Sequence, residues 1–238
     1  MRVVVTRPEP GLSRTMERLR RGGYKPVALP LSRITALRDG VAEAGRRRCS
    51  GYVVTSAAAL DATHGRLDPA LPIWTVGPAT AETARLEGFQ TVMEGPGDGR
   101  GLAAALVAQG QSAGKLLYLG GRVRTPVLEQ AMRAGGLPLD VIEVYDTQPI
   151  SYHGDALAER LAGEPVVLLY SAGAARRFRA LEIAGFAGSF VCISDNVAAE
   201  LGARGAGLVT IAEAADEGAM LLALDRGRNQ AGPMPFTV

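Results

Sequence analysis

The chain is poor in the residues that build metal centres and disulfides. Among 238 residues there are two cysteines and two histidines. Cys49 and Cys192 each sit beside apolar runs, which fits buried thiols in a reducing compartment better than a disulfide framework. His64 and His153 are far apart, and neither stands at a predicted strand end. Both read as surface residues rather than bases or ligands, so no zinc site is supported. Long apolar runs are also lacking, which excludes a membrane-spanning helix. The opening, Met1 to Pro8, has too short an apolar run for a signal peptide. Charge of one sign is lacking too. With 26 Lys and Arg against 24 Asp and Glu, the formal net charge is +2. The arginine clusters at Arg18–Arg21 and Arg46–Arg48 read as solvated helix faces, not a nucleic-acid surface. The expectation is a soluble cytoplasmic protein without a membrane or nucleic-acid partner.

The usual catalytic signatures are absent as well. No G-x-G-x-x-G follows a strand, so a dinucleotide site is unsupported. Gly110 to Leu116 only mimics a phosphate loop: it is one residue short between glycines, lacks Ser or Thr after Lys115, and precedes a strand. Leu169-Tyr170-Ser171-Ala172-Gly173 lacks the first glycine of a nucleophile elbow. The expected chemistry needs no metal and no strong base.

What is present is a doubled α/β pattern. Val3–Val5, Val27–Leu31, Gly51–Ser56, Ile73–Val76 and Thr91–Met93 read as strands. Between them lie helical stretches: Leu12, Met16 and Leu19 at helical spacing, Val41–Arg47, one from Ala57, one opened by Pro78, and Leu102–Val107. From Lys115 the order repeats, with strands at Leu116–Leu119, Val141–Tyr145, Val166–Tyr170, Phe190–Ile193 and Leu208–Ile211, and a last helix at Ala219–Leu224. Gly22 and Gly135 are 113 residues apart, Ser56 and Ser171 115, Gly77 and Ser194 117, and Gly101 and Gly218 117. Five strand–helix pairs in register imply a tandem duplication of one unit with a parallel sheet. The polar stretch from Asp225 to Val238 reads as loose.

Duplication leaves two arrangements open. Each copy folds alone, with a boundary near residue 112, or the first strand–helix–strand of each copy packs into the other's sheet. The second needs two crossings. The proline-flanked segments Val27–Ile34 and Leu137–Pro149 would supply them, with Tyr145 hanging over a cleft between lobes.

In open parallel sheets, ligands bind at the carboxyl ends of strands. The loops there hold Thr6, Arg7, Thr55, Ser56, Gly77, Thr80, Gly120, Gly121, Arg122, Ser171 and Ser194. Helix starts present free N–H groups and suit carboxylates or phosphates, and Arg7, Arg122 and Arg124 add full charges. Any one of these Ser or Thr residues taken alone is a helix cap. Several sharing one edge make an anion site.

These pieces together resemble the uroporphyrinogen-III synthase family. They are Val4-Val5-Thr6-Arg7-Pro8, Gly22-Gly23 with Pro26-Val27 and Leu29-Pro30-Leu31, Val53-Val54-Thr55-Ser56-Ala57, Val76-Gly77-Pro78-Ala79-Thr80-Ala81, Val144-Tyr145-Asp146-Thr147 and Leu169-Tyr170-Ser171. The resemblance implies two flavodoxin-like, doubly wound parallel-sheet lobes joined by a two-stranded β connector. Lobe 1 would hold residues 1–32 and 150–226, lobe 2 residues 38–143, the connectors 33–37 and 144–149, and the loose tail 227–238. It implies ring closure of hydroxymethylbilane without a cofactor, and a transient contact with the preceding deaminase. By motif position it implies that Tyr145 assists departure of the hydroxyl. Thr80 would bond a substrate carboxylate, and Arg7, Thr55, Ser56, Gly77, Arg122, Ser171 and Ser194 would line the substrate site. Ile193 to Val197 departs from the G-P-x-T pattern often found there, so no threonine hydroxyl is expected from that loop. Two other readings remain at this point: a non-catalytic two-lobed binding or regulatory module for an anionic small molecule such as a tetrapyrrole, and a nucleotide enzyme that lacks the usual glycine fingerprint.

Overall fold

The structure is a computed structural model that describes residues 1–110, 114–137, 139–181, 183, 185–202 and 209–230, the last three without their side chains. The chain divides into two compact units, Met1–Arg33 with Gln148–Val238, and Ile34–Thr147.

Unit 1 begins with β1 (Arg2–Val5), α1 (Gly11–Arg21) and β2 (Lys25–Ala28). After a long interval it resumes with α7 (Gly154–Leu161), β9 (Val166–Leu169), α8 (Ala172–Arg179), β10 (Ser189–Cys192), α9 (Asp195–Ala199), β11 (Val209–Ile211) and α10 (Glu217–Gln230). Its sheet has the order β11-β10-β9-β1-β2, and every pairing is parallel. Strands from the two sequence copies therefore share one sheet, with Val4 opposite both Val27 and Val167. Helices cover both faces, which is why β1 and β9 are apolar along their buried lengths instead of alternating. Val4, Val167, Leu169 and Phe190 pack under Leu157, Phe178 and Val197, from α7, α8 and α9. Val3, Val5, Leu168 and Val191 pack under Leu12, Leu19 and Met220, from α1 and α10.

Unit 2 contains α2 (Arg38–Ala44), β4 (Gly51–Val54), α3 (Ala57–Ala62), β5 (Ile73–Thr75), α4 (Pro78–Leu86), β6 (Val92–Glu94), α5 (Gly99–Gln109), β7 (Leu116–Gly121) and α6 (Val127–Ala134). Two further strands, β3 (Ser32–Ala36) and β8 (Leu139–Pro149), carry the chain across the unit boundaries at 33/34 and 147/148. The sheet order is β3-β8-β7-β4-β5-β6, with β8 to β6 all parallel. Tyr52, Val54, Leu117, Leu119 and Val144 face Ala44, Leu60 and Ala84, from α2, α3 and α4. Val53, Trp74, Leu116 and Tyr118 face Leu102, Leu106, Leu128 and Met132, from α5 and α6. Each unit is thus a doubly wound, mainly parallel sheet, as the resemblance implies.

Several element bounds differ from the sequence reading. The stretch Val27–Leu31 is not one strand. β2 ends at Ala28, Pro30 follows without an N–H to give a ladder, and β3 starts at Ser32. The helix expected at Val41–Arg47 sits at Arg38–Ala44, ended by Gly45. The one expected at Leu102–Val107 begins at Gly99, because Asp98 accepts the N–H groups of Arg100 and Gly101, both at 2.9 Å. Asp225–Gln230 is the end of α10, not loose tail. Tyr24 Oη donates to Asp225 there, and Arg226 pairs with Glu213. Residues 231–238, Leu208, Pro138 and three residues of the phosphate-loop mimic (111–113) lie outside the described residues. Among the described residues, no helix is long and apolar enough to cross a membrane.

Candidate active site

The candidate residues all follow strand carboxyl ends or lie level with them, in both units. Thr55, Ser56, Gly77, Thr80, Arg122 and Tyr145 belong to unit 2, and Arg7, Ser171 and Ser194 to unit 1.

In unit 2, β7 and β8 run side by side until Gly120 faces Glu143, and then the register slips so that Gly121 faces Tyr145. This bulge leaves Val144 unopposed and re-aims the end of β8. Val144 is fully buried, and the Tyr145 ring packs partly against the same core cluster. The ring fills the space a side chain on Gly121 would need: a Cβ there would lie 2.7 Å from Tyr145 Cζ and 3.0 Å from Oη. The Arg122 N–H donates to the Tyr145 carbonyl at 2.8 Å, fixing the backbone of both.

Charges surround this point. Arg124 Nη1 donates to the Gly121 carbonyl at 2.8 Å and to Glu143 Oε1 at 3.1 Å, and its Nε donates to Glu129 Oε1 at 2.6 Å. Burial works against the Arg124 charge, but the bonds from Glu129 and Glu143 outweigh it and hold its pKa above the ordinary arginine value. Arg122 makes looser ion pairs, with Glu143 at 3.5 Å and Asp146 at 3.6 Å.

One neighbour was missed by sequence reasoning. Tyr118, buried in the apolar strand β7, shares a hydrogen bond with Thr55 across 3.0 Å. Burial raises its phenol pKa, against which the Thr55 bond works. The available signal was a tyrosine inside an otherwise aliphatic run, whose hydroxyl must find a partner. Thr55 is thus bound back to its own sheet.

Along the same edge, Ser56 caps α3 by accepting the Ala58 N–H at 3.2 Å. Gly77 precedes Pro78 at the start of α4, and Thr80 lies in the first turn, buried, with no side-chain partner among the described residues. From the sheet order, β5 stands three strands from β8, roughly 14 Å at ordinary strand spacing. Thr80 and Tyr145 therefore share an edge without touching.

In unit 1, Arg7 follows β1. It reaches Thr15 Oγ1 at 3.4 Å and Glu217 at 3.5 Å, and lies 4.6 Å from the centroid of the Tyr170 ring. Thr15 also donates to Glu217, and Arg18 pairs with it at 2.9 Å. The arginine is thus engaged by α1, α10 and Tyr170. The Tyr170 hydroxyl is buried and makes no well-formed hydrogen bond among the described residues. Burial pushes its pKa up to about 12, moderated by Thr15 and Arg7 beside it. Ser171 caps α8, accepting the Ala174 N–H at 3.1 Å. Ser194 stands at the start of the five-residue α9 without a side-chain cap bond. A cavity of about 370 Å³ in this unit is lined by residues 149–154 with Arg177, Ala180 and Leu181. It sits at the far end of α8 from Ser171 and holds none of the candidate residues.

Comparison with known proteins decides among the readings. The model of the uroporphyrinogen-III synthase HemD family matches residues 13–221. The chain belongs to the uroporphyrinogen-III synthase family. The uroporphyrinogen-III synthetase from Helicobacter pylori superposes with a TM-score of 0.64 at 17% identity, covering 95% of this chain and 100% of that one. A mutant uroporphyrinogen III synthase from Thermus thermophilus gives 0.57 at 16% identity, covering 97% and 99%. At such identities the likeness speaks for the two-lobed α/β fold alone. A comparison with curated protein sequences finds no match.

Proposed function

We infer that this member of the family closes hydroxymethylbilane to uroporphyrinogen III, inverting ring D and releasing water, as a cyclising lyase of haem and other tetrapyrrole synthesis. The observation that carries this is the family match over residues 13–221. The placement of Tyr145, Thr80 and the capped helix starts at strand carboxyl ends supports a site of the expected kind.

The chemistry suits such a site. The pyrrole nitrogen pushes out the hydroxyl of the terminal hydroxymethyl group, leaving an azafulvenium-like cation. The substituted carbon of ring D attacks it to give a spiro intermediate. The bond from that carbon to the old methylene bridge then breaks, and the bridge re-bonds to the free α-carbon of ring D on the other side of its nitrogen, which loses its proton. The net change is loss of one water. The protein's task is to fold the chain for this attack and to help the oxygen leave. Tyr145, held by Gly121 and Arg122, donates its phenol hydrogen bond to the departing oxygen. Thr80 and the free N–H groups at the starts of α3, α4 and α8 bind substrate carboxylates, with Thr55, Ser56, Gly77, Ser171 and Ser194 shaping those loops. Arg122 adds charge, whereas Arg7 acts chiefly by fixing the β1 loop against Glu217. The protein works in the cytoplasm and receives its substrate in a transient contact with the deaminase that makes it. The test is the isomer composition of the cyclised product.

A further inference from the structure

Arg122 and Arg124 flank one carboxylate, Glu143, which touches both: Oε1 accepts from Arg124 at 3.1 Å, and Oε2 lies 3.5 Å from Arg122 Nε. We propose that Glu143 is a resident stand-in for a substrate carboxylate, occupying an arginine pair that receives an acetate or propionate of the bound tetrapyrrole.

Three observations carry this. First, the Arg122 pairs are loose. At 3.5 and 3.6 Å neither reaches hydrogen-bonding distance, so the guanidinium has a carboxylate nearby without a bidentate partner. Second, the two arginines are not equivalent. Arg124 is anchored by Glu129 and the Gly121 carbonyl, and its side chain is 24% exposed; Arg122 is 56% exposed and Glu143 42%. An exposed pair of this type exchanges one carboxylate for another at little cost, while the anchored arginine keeps the positive end in place. Third, the receptor is tied to the proposed chemistry. The Arg122 N–H holds the Tyr145 carbonyl, so an anion drawn to this guanidinium comes in beside the strand that presents the phenol. Asp146, 3.6 Å from Arg122 Nη1, leaves it a second neutralising partner when Glu143 is displaced.

The naming of a tetrapyrrole carboxylate rests on the proposed function; the anion site itself does not. The probe is therefore benzenehexacarboxylate, a compact polycarboxylate, titrated calorimetrically into the whole protein at low salt. Glu143→Gln is expected to bind it about two- to five-fold more tightly, the range a surface ion pair allows. Arg122→Gln is expected to bind it more weakly, and Arg122→Gln with Glu143→Gln to show no gain over Arg122→Gln alone. Glu17→Gln, which removes one exposed charge paired with Arg21 in unit 1, controls for net charge and should leave affinity unchanged. Equal or weaker binding by Glu143→Gln overturns the proposal, as does the same gain in Glu17→Gln. In the synthase assay Glu143→Gln should lower KM by a similar factor. Type III product with an unchanged KM would sink this inference and spare the function; type I product with the calorimetric pattern intact would do the reverse.

Discussion

Tyr145 owes its position to a side chain that is not there. With a Cβ at Gly121 only 2.7 Å from Tyr145 Cζ, Gly121→Ala must swing the ring away. Tyr145→Phe should lower turnover by about ten-fold or less, below the roughly 10²–10⁴-fold of a full general acid because the phenol is only one of several aids to departure. Gly121→Ala should cost a similar factor in kcat, and should cost little more when Tyr145 is already Phe. Full additivity of the two losses in steady-state assays would show that Gly121 acts on something other than the phenol. A second residue-scale expectation concerns pH. The Tyr170 pKa is raised from 10.0 to about 12, so folding favours its neutral form. That stabilisation is complete below pH 10 and is lost as pH rises through 12. Urea midpoints should therefore fall over this interval by less in Tyr170→Phe than in the parent, and parallel declines would contradict it. At this scale the sequence placed Tyr145, Thr80 and the helix caps by motif position. It did not reveal that Arg7 is committed to Glu217 or that Thr55 is committed to Tyr118. Those partners lie 210 and 63 residues away, and spacing along the chain carries no sign of them.

Elements were legible where packing on both faces forces apolar runs, as in Val3–Val5, Val53–Val54 and Val166–Leu169. They were misjudged where one end is polar. α10 was cut short at Leu224 because the exposed Asp225 and Arg226 follow, yet Met220, Ala223 and Leu224 are buried beneath the helix. Met220→Ala should destabilise unit 1 by about 2–5 kcal/mol, measured by chemical denaturation; a change below about 1 kcal/mol would show that α10 is dispensable to that core. The start of α2 is fixed by a different contact. A Cβ on Gly40 would stand 1.9 Å from the Glu143 carbonyl oxygen, a backbone atom that cannot swing aside. Gly40→Ala should cost about 1–3 kcal/mol as helix and strand separate, and because β8 carries Tyr145 it should lower turnover too. An unchanged denaturation midpoint would contradict the close approach.

At the level of the whole molecule, the duplication was visible as constant offsets, but the partner of each copy's first strands was not. β1 and β7 are both apolar and buried, so composition is blind to the pairing. Only three-dimensional register, with Val4 between Val27 and Val167 and Leu117 between Tyr52 and Asp140, distinguishes them. The family's reaction likewise follows from the whole ordered set of pieces and from no single motif. It is tested most directly by generating hydroxymethylbilane from porphobilinogen with the deaminase, adding this protein, oxidising, and separating the uroporphyrin isomers. Spontaneous closure leaves ring D uninverted and gives type I. The account predicts a switch to type III on addition of the protein; an unchanged type I product from folded protein would contradict it.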